Sequence, residues 1–252
     1  MVGDATRRVM CFAAIILPIA AGLVAASPPA FACYGDVLGD HCYTEAVMQH
    51  PAYNYEGGQA TITPHCLYQT DPVPLESFMT QELWVFTDNT IVDPGGPQWY
   101  WVESGAMDDG SDPGLQYRWF WANYYPGASQ IYVHYNGPSV SMDTDYTTQI
   151  LYVGSNEWDV FVEVNGGGFT QYGTAYYNPP YSVEMHAGTE YTLQENQAQG
   201  RDVGKATSLQ YQRTDDTWGD WWGTYPKLHG TYQYVTATLP SDTEIDWQSN
   251  NC

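Results

Sequence analysis

The sequence predicts an all-β chain, an antiparallel sandwich that follows a removable leader. Three observations carry that expectation. Beyond residue 80, short runs alternate apolar and polar residues, the period of a strand with one face buried. Clusters of Gly, Pro, Asn and Asp separate the runs: Asp93–Gly96, Asp112–Gly114, Asn165–Gly168 and Asn178–Pro180. The composition pairs 22 Tyr and 10 Trp with only 14% charged residues, which suits half-buried strands and opposes disorder.

The first 32 residues read as an address. Arg7 and Arg8 precede an apolar run from Val9 to Ala26, and Ala30-Phe31-Ala32 offers a small-x-small cleavage site. That is the tripartite pattern of a secretory signal peptide. A membrane anchor is the competing reading, opposed by the shortness of the run and by Pro18. The mature chain then begins at Cys33 and is expected to be secreted. Lipidation of Cys33 would want a Leu where Ala30 stands.

Cys11 leaves with the leader, and Cys33, Cys42, Cys66 and Cys252 remain. An even number in an exported chain implies disulfides. Of the three connectivities, the favoured one joins Cys42 to Cys66 and Cys33 to Cys252. A zinc site would want a C-x-x-C pair, and the sequence has none. Residues 33–75 are expected to form a short disulfide-tied N-terminal extension. Within it, Tyr43 to His50 suits one short helix ended by Pro51.

Residues 76–252 are expected to form the sandwich, of jelly-roll or concanavalin-like type. Strands are expected at 81–87, 98–104, 116–123, 130–135, 147–153, 157–164, 206–213 and 231–239. The clearest is 157–164, where Trp158, Val160, Val162 and Val164 alternate with Glu157, Asp159 and Glu163.

Charge narrows the function. Seven Lys and Arg stand against 29 Asp and Glu, a formal net charge of −22. So few cations cannot build a phosphate-binding patch, so nucleic acid is excluded as a partner. An anionic membrane surface is excluded for the same reason once the leader is gone. Nothing in the sequence asks for more than a monomer.

Several motifs are missing: H-E-x-x-H among the six histidines, a G-x-S-x-G elbow, and any phosphate-binding glycine loop. No metal site is expected from the histidines and cysteines. Calcium could be held by Asp108, Asp109 and Asp112, although Asp and Gly are also ordinary turn residues.

The strand at 98–105 carries the most distinctive chemistry. Trp99, Trp101 and Glu103 share one face. A carboxyl group in line with two indoles is partly desolvated, which raises its pKa and prepares it as a general acid. The next strand places Tyr117, Trp119 and Trp121 on one face and Arg118 on the other. Arg118 would serve an anionic substrate group or an ordinary ion pair. A later segment, Tyr181 to Gln194, puts Glu184, His186 and Glu190 at equal parity with Gly188 between them. Paired carboxylates can act as acid and base, or as acid and nucleophile.

The order V-E-S-G at 102–105, a turn, then R-W-F-W-A-N-Y-Y-P at 118–126 resembles the glutamic peptidase group, including the fungal eqolisins and neprosin-type enzymes. The resemblance covers roughly residues 80–195. It implies an antiparallel sandwich with a curved sheet over a polypeptide substrate, and no cofactor. It implies Glu103 as the first catalytic residue and Glu190 or Glu184 as the second. Glu190 is preferred because Gly188 permits close backbone approach. The sequence departs from the eqolisin pattern in two places. Glu103 stands where eqolisins have Gln, and Met185 or Tyr191 stands where a Trp follows their second Glu.

Two other classes stay open. A carbohydrate-binding or carbohydrate-cleaving sandwich would use Trp99, Trp101, Trp119 and Trp218 against a polysaccharide. A non-catalytic extracellular module would depend on no single carboxylate.

Overall fold

The computed structural model describes residues 35–36, 39–68, 78–87, 100–108, 117–125, 128, 131–192, 201–229 and 235–249. Every regular element among them is a strand. They are β1 (Gly35–Asp36), β2 (Gly39–Gln49), β3 (Tyr55–Tyr68), β4 (Met79–Phe86), β5 (Trp101–Asp108), β6 (Arg118–Tyr124), β7 (Tyr132–His134) and β8 (Tyr146–Gly154). Then follow β9 (Glu157–Val164), β10 (Thr170–Ala175), β11 (Glu184–Thr192), β12 (Arg201–Arg213), β13 (Trp218–Asp220), β14 (Tyr225–His229), β15 (Val235–Ser241) and β16 (Glu244–Ser249).

Two antiparallel sheets result. The first runs β1-β2-β11-β4-β5-β6-β7, with β14 also paired to β2. The second runs β10-β9-β8-β3-β12-β16-β15, with β13 paired to β12. The expected sandwich is therefore present, and its core is where alternation placed it. Trp158 and Val160 are fully buried and Val162 nearly so, while Glu157, Asp159 and Glu163 between them keep partial exposure. They join Ile62, Leu83, Val85, Val102, Met185 and Trp247 in one cluster between the sheets.

Two expectations for the N-terminal part give way. The described residues between 33 and 75 do not stand apart as an extension. They supply β2, which pairs with β11 on one side and β14 on the other, and β3, which pairs with β8 and β12. The helix expected over Tyr43–His50 is instead the second half of β2. Glu45, Ala46 and Met48 favour helix, but propensity is a weak prior against backbone pairing on both flanks. In strand form Cys42, Ala46 and Met48 reach the core while Tyr43, Glu45, Val47 and Gln49 face outward.

Strands at 184–192 and 244–249 complete the sheets. The first is unbroken and paired along its length to both β2 and β4. Cys42 is buried on β2 and Cys66 lies on β3. Cys33, Cys252, Trp99, Asp109 and Asp112 lie outside the described residues, as does the leader. Asp108 ends β5.

Candidate active site

Register alone builds the site. Residues directly opposite one another on neighbouring strands share a face. On the outer face of the first sheet, Glu190 of β11 lies opposite Thr80 of β4. Glu82 of β4 lies opposite Gly188 on one side and Gly105 of β5 on the other. Glu103 of β5 lies opposite Trp84 of β4. The three carboxylates Glu82, Glu103 and Glu190 therefore converge from three adjacent strands. Their oxygens come within 4.8 Å of one another.

The two glycines make that convergence possible. A Cβ at Gly105 would lie 2.4 Å from Cβ of Glu82 and 2.2 Å from the carbonyl oxygen of Gln81. A Cβ at Gly188 would lie 2.1 Å from the carbonyl oxygen of Thr44. Backbone cannot give way as a side-chain tip can, so any larger residue would part the strands. Glu82 has no exposure, while Glu103 and Glu190 keep 8% and 6%.

Hydrogen bonds fix the orientations. The indole Nε1 of Trp101 donates to Oε2 of Glu103 at 3.1 Å. The Thr80 hydroxyl donates to Oε1 of Glu82. Oε2 of Glu82 is buried and accepts no bond. Burial raises the pKa of Glu82 well above the usual carboxylate range, and the charges of Glu103 and Glu190 raise it further. Both causes favour the protonated form of Glu82. Three carboxylates at this spacing suit either a shared proton or a hard divalent cation.

A second cluster occupies the other end of β11, on the same face. His186 is buried with Nδ1 2.9 Å from Oε2 of Glu45 and Nε2 2.6 Å from Oε1 of Glu184. Gln49 donates to Oε2 of Glu184 at 2.9 Å, and Nζ of Lys227 stands 3.9 Å from Oε1. Burial works to lower the His186 pKa, but Glu45 and Glu184 outweigh it and the net shift is upward. A carboxylate at each nitrogen favours the doubly protonated ring, in which both nitrogens donate. Glu184, the alternative second catalytic residue, is thus tied into an ion-pair network. Six residues of strand, about 20 Å, separate it from Glu190.

Of the residues singled out in the sequence, the structure brings Glu103 and Glu190 together and leaves Glu184 away from them. Trp101 keeps its place beside Glu103. Trp119 does not line the site. It points into the core, 1% exposed, with Nε1 donating to the Ser104 hydroxyl at 2.9 Å and its ring stacked on Tyr146. The face it shares with Tyr117 and Trp121 is the inner one, so its aromatic character is core packing. Arg118 lies toward the sheet edge, its guanidinium 5.7 Å from the centroid of the Tyr135 ring. Trp218 is part-buried on β13 of the second sheet. Of the tryptophans expected as a sugar platform, Trp101, Trp119 and Trp218 therefore do not share a surface.

Sequence reasoning missed Glu82. The signal was present, because Glu82, Trp84 and Phe86 repeat the carboxylate-in-line-with-aromatics pattern of Trp101 and Glu103. Trp84, Phe86 and Trp101 form one aromatic cluster on this face, with Tyr43 and Tyr124 against it.

No model of a known protein family matches the chain, and no curated protein matches it. Solved structures do. Scytalido-glutamic peptidase bound to a transition-state analogue inhibitor superposes with a TM-score of 0.56 at 10% identity, over 83% of this chain and 98% of that one. The same peptidase with a peptide-based transition-state analogue gives 0.54 at 9%, over the same shares. SCP-B, a member of the eqolisin family of peptidases in complex with the tripeptide Ala-Ile-His, gives 0.50 at 8%, again over 83% and 98%. At such identities the likeness concerns the fold, and the fold of this chain is that of the glutamic peptidases.

Proposed function

We propose that the chain is an exported, acid-active hydrolase of the glutamic peptidase type, acting on polypeptide. The observation that carries this reading is the convergence of Glu82, Glu103 and Glu190 on the outer face of the first sheet. Glu103 and Glu190 keep a little exposure and face the substrate, while Glu82 lies beneath them. In mildly acidic water one carboxylate of the pair acts as base and takes a proton from a bound water as it attacks the scissile carbonyl. The other delivers a proton to the leaving amine. Glu82 stays neutral beneath the pair, and its Oε2 accepts no bond from another protein group.

This arrangement is stable only while at least one proton is shared, because closely spaced carboxylates cannot all ionise. The chemistry therefore belongs to acidic solution and calls on no cofactor. Export is supported by the leader pattern and by the even number of cysteines, four, that remain once the leader is removed. The testing experiment is cleavage of acid-denatured protein by the mature chain and by Glu103→Gln and Glu190→Gln. The reading requires cleavage by the wild type and its loss in both variants.

A further inference from the structure

The residues next in sequence to Glu82 and Glu190 point the other way, into the core. Gln81 and Thr189 are fully buried and lie directly opposite each other on β4 and β11. Both bond the same group, Asp202 of β12 in the facing sheet. Nε2 of Gln81 donates to Oδ1 of Asp202 at 2.6 Å, and the Thr189 hydroxyl donates to Oδ2. Nε1 of Trp247 donates to Oδ1 at 2.9 Å, and the Asp202 amide donates to the Ser249 hydroxyl at 3.0 Å.

An aspartate without exposure is a costly core residue. A leucine would fill the space without that cost, but would leave the Gln81 amide and the Thr189 hydroxyl with no bond to this position. The ladder between β4 and β11 fixes their register but leaves twist and curvature adjustable. A bond across the gap between sheets fixes both strands at one point. That point lies directly behind the carboxylates.

We propose that Asp202 is a positioning residue, which ties Gln81 and Thr189 to the second sheet and thereby sets the spacing of Glu82 and Glu190 on the opposite face. The groups bonded to it, Gln81, Thr189, Trp247 and Ser249, are all uncharged. Burial raises its pKa to about 7 against the bonds from Thr189, Gln81 and Trp247, so in acid it works as a neutral carboxyl. As a neutral acid it donates from Oδ2 to the Thr189 hydroxyl and still accepts at Oδ1. An asparagine can make the same set of bonds.

For its catalytic consequence the inference rests on the peptidase reading. Its structural content does not. The test uses the mature protein with Asp202→Asn, Thr189→Val and Thr189→Ser. Two readouts are taken in acid: kcat and KM on a peptide substrate, and the infrared band of the protonated Glu82 carboxyl, assigned by its loss in Glu82→Gln. Thr189→Val removes one arm and is expected to fold. It should lower kcat about tenfold or more with KM nearly unchanged, since small displacements of reacting groups cost this much. It should also shift the Glu82 band. Asp202→Asn and Thr189→Ser should retain wild-type kcat and band position. A folded Thr189→Val protein with unchanged kcat and an unmoved band would overturn the proposal. A band that shifts while neither wild type nor variant cleaves any peptide would uphold the positioning role and remove the peptidase reading.

Discussion

Two groups of buried carboxylates lie on the outer face of β11, one at each end. At Glu184 the charge is met. His186 stands between Glu184 and Glu45, with Gln49 and Lys227 completing the set. At Glu190 the charges that act on Glu82 are those of further carboxylates, Glu103, Glu190 and Glu45, and one oxygen of Glu82 is left open. Burial is common to both ends, so burial alone does not mark a catalytic group. What distinguishes them is how the buried charge is compensated. Counter-charges make a structural lock, whereas like charges force a proton to be shared.

The contrast can be broken from either end. The largest effect is expected at the Glu190 end. Glu103→Gln and Glu190→Gln should each lower kcat by about 10²–10⁴-fold, the usual worth of a general acid or base. Melting temperatures should stay close to wild type, because a neutral amide relieves repulsion. The check is steady-state cleavage in acid alongside a thermal melt.

The opposite signature is expected at Glu184. Glu184→Gln leaves His186 buried with one carboxylate fewer, and breaking such a pair costs about 3–5 kcal/mol. The melting temperature should drop, while kcat per folded molecule should change little. Denaturant titration separates Glu184→Gln from the other two variants.

Next in size is the dependence of stability on pH. Asp202 has a folded-state pKa of about 7 against an ordinary 3.8, so its contribution to stability is full below the lower value and is lost as pH rises through the higher one. Across that window the loss amounts to roughly 4 kcal/mol. His186, also raised, contributes below its ordinary pKa of 6.5 and loses that contribution as pH climbs past its folded value. Glu82 shifts in the same direction. The protein should therefore unfold at a higher temperature in acid than at neutrality. Asp202→Asn should flatten the part of the curve below pH 7, as melts across a pH series would show.

The smallest effect sharpens the account of the trio itself. Glu82→Gln should retain most activity, because an amide stands in for a carboxyl that is already protonated. It should extend the active range toward neutral pH by removing one source of repulsion. A pH–rate profile reads this directly.

Sandwich architecture was legible because alternation and turn clusters are local signals. Trp158, Val160 and Val162 revealed their face without knowledge of any neighbour. Residues 39–49 were not legible, since helix-favouring Glu45, Ala46 and Met48 are overruled by pairing to β11 and β14, which lie far away in sequence. The site was legible in part. Glu103 and Glu190 stood out through flanking tryptophan and glycine. Glu82 required the register of β4 between two glycines on other strands. Trp119 was misplaced because an aromatic-rich strand looks the same whether its indoles face a substrate or a core. Asp202 left no trace, because its role exists only across the gap between the sheets.

The most direct test of the shared-proton site is a pH–rate profile for cleavage of an unfolded protein substrate by the mature wild-type chain, with Glu190→Gln run beside it. Cleavage should rise in acid, vanish toward neutrality and be absent from the folded variant. A variant that cleaves as the wild type does, or a folded wild-type protein that cleaves nothing at any acidic pH, would contradict the shared-proton site.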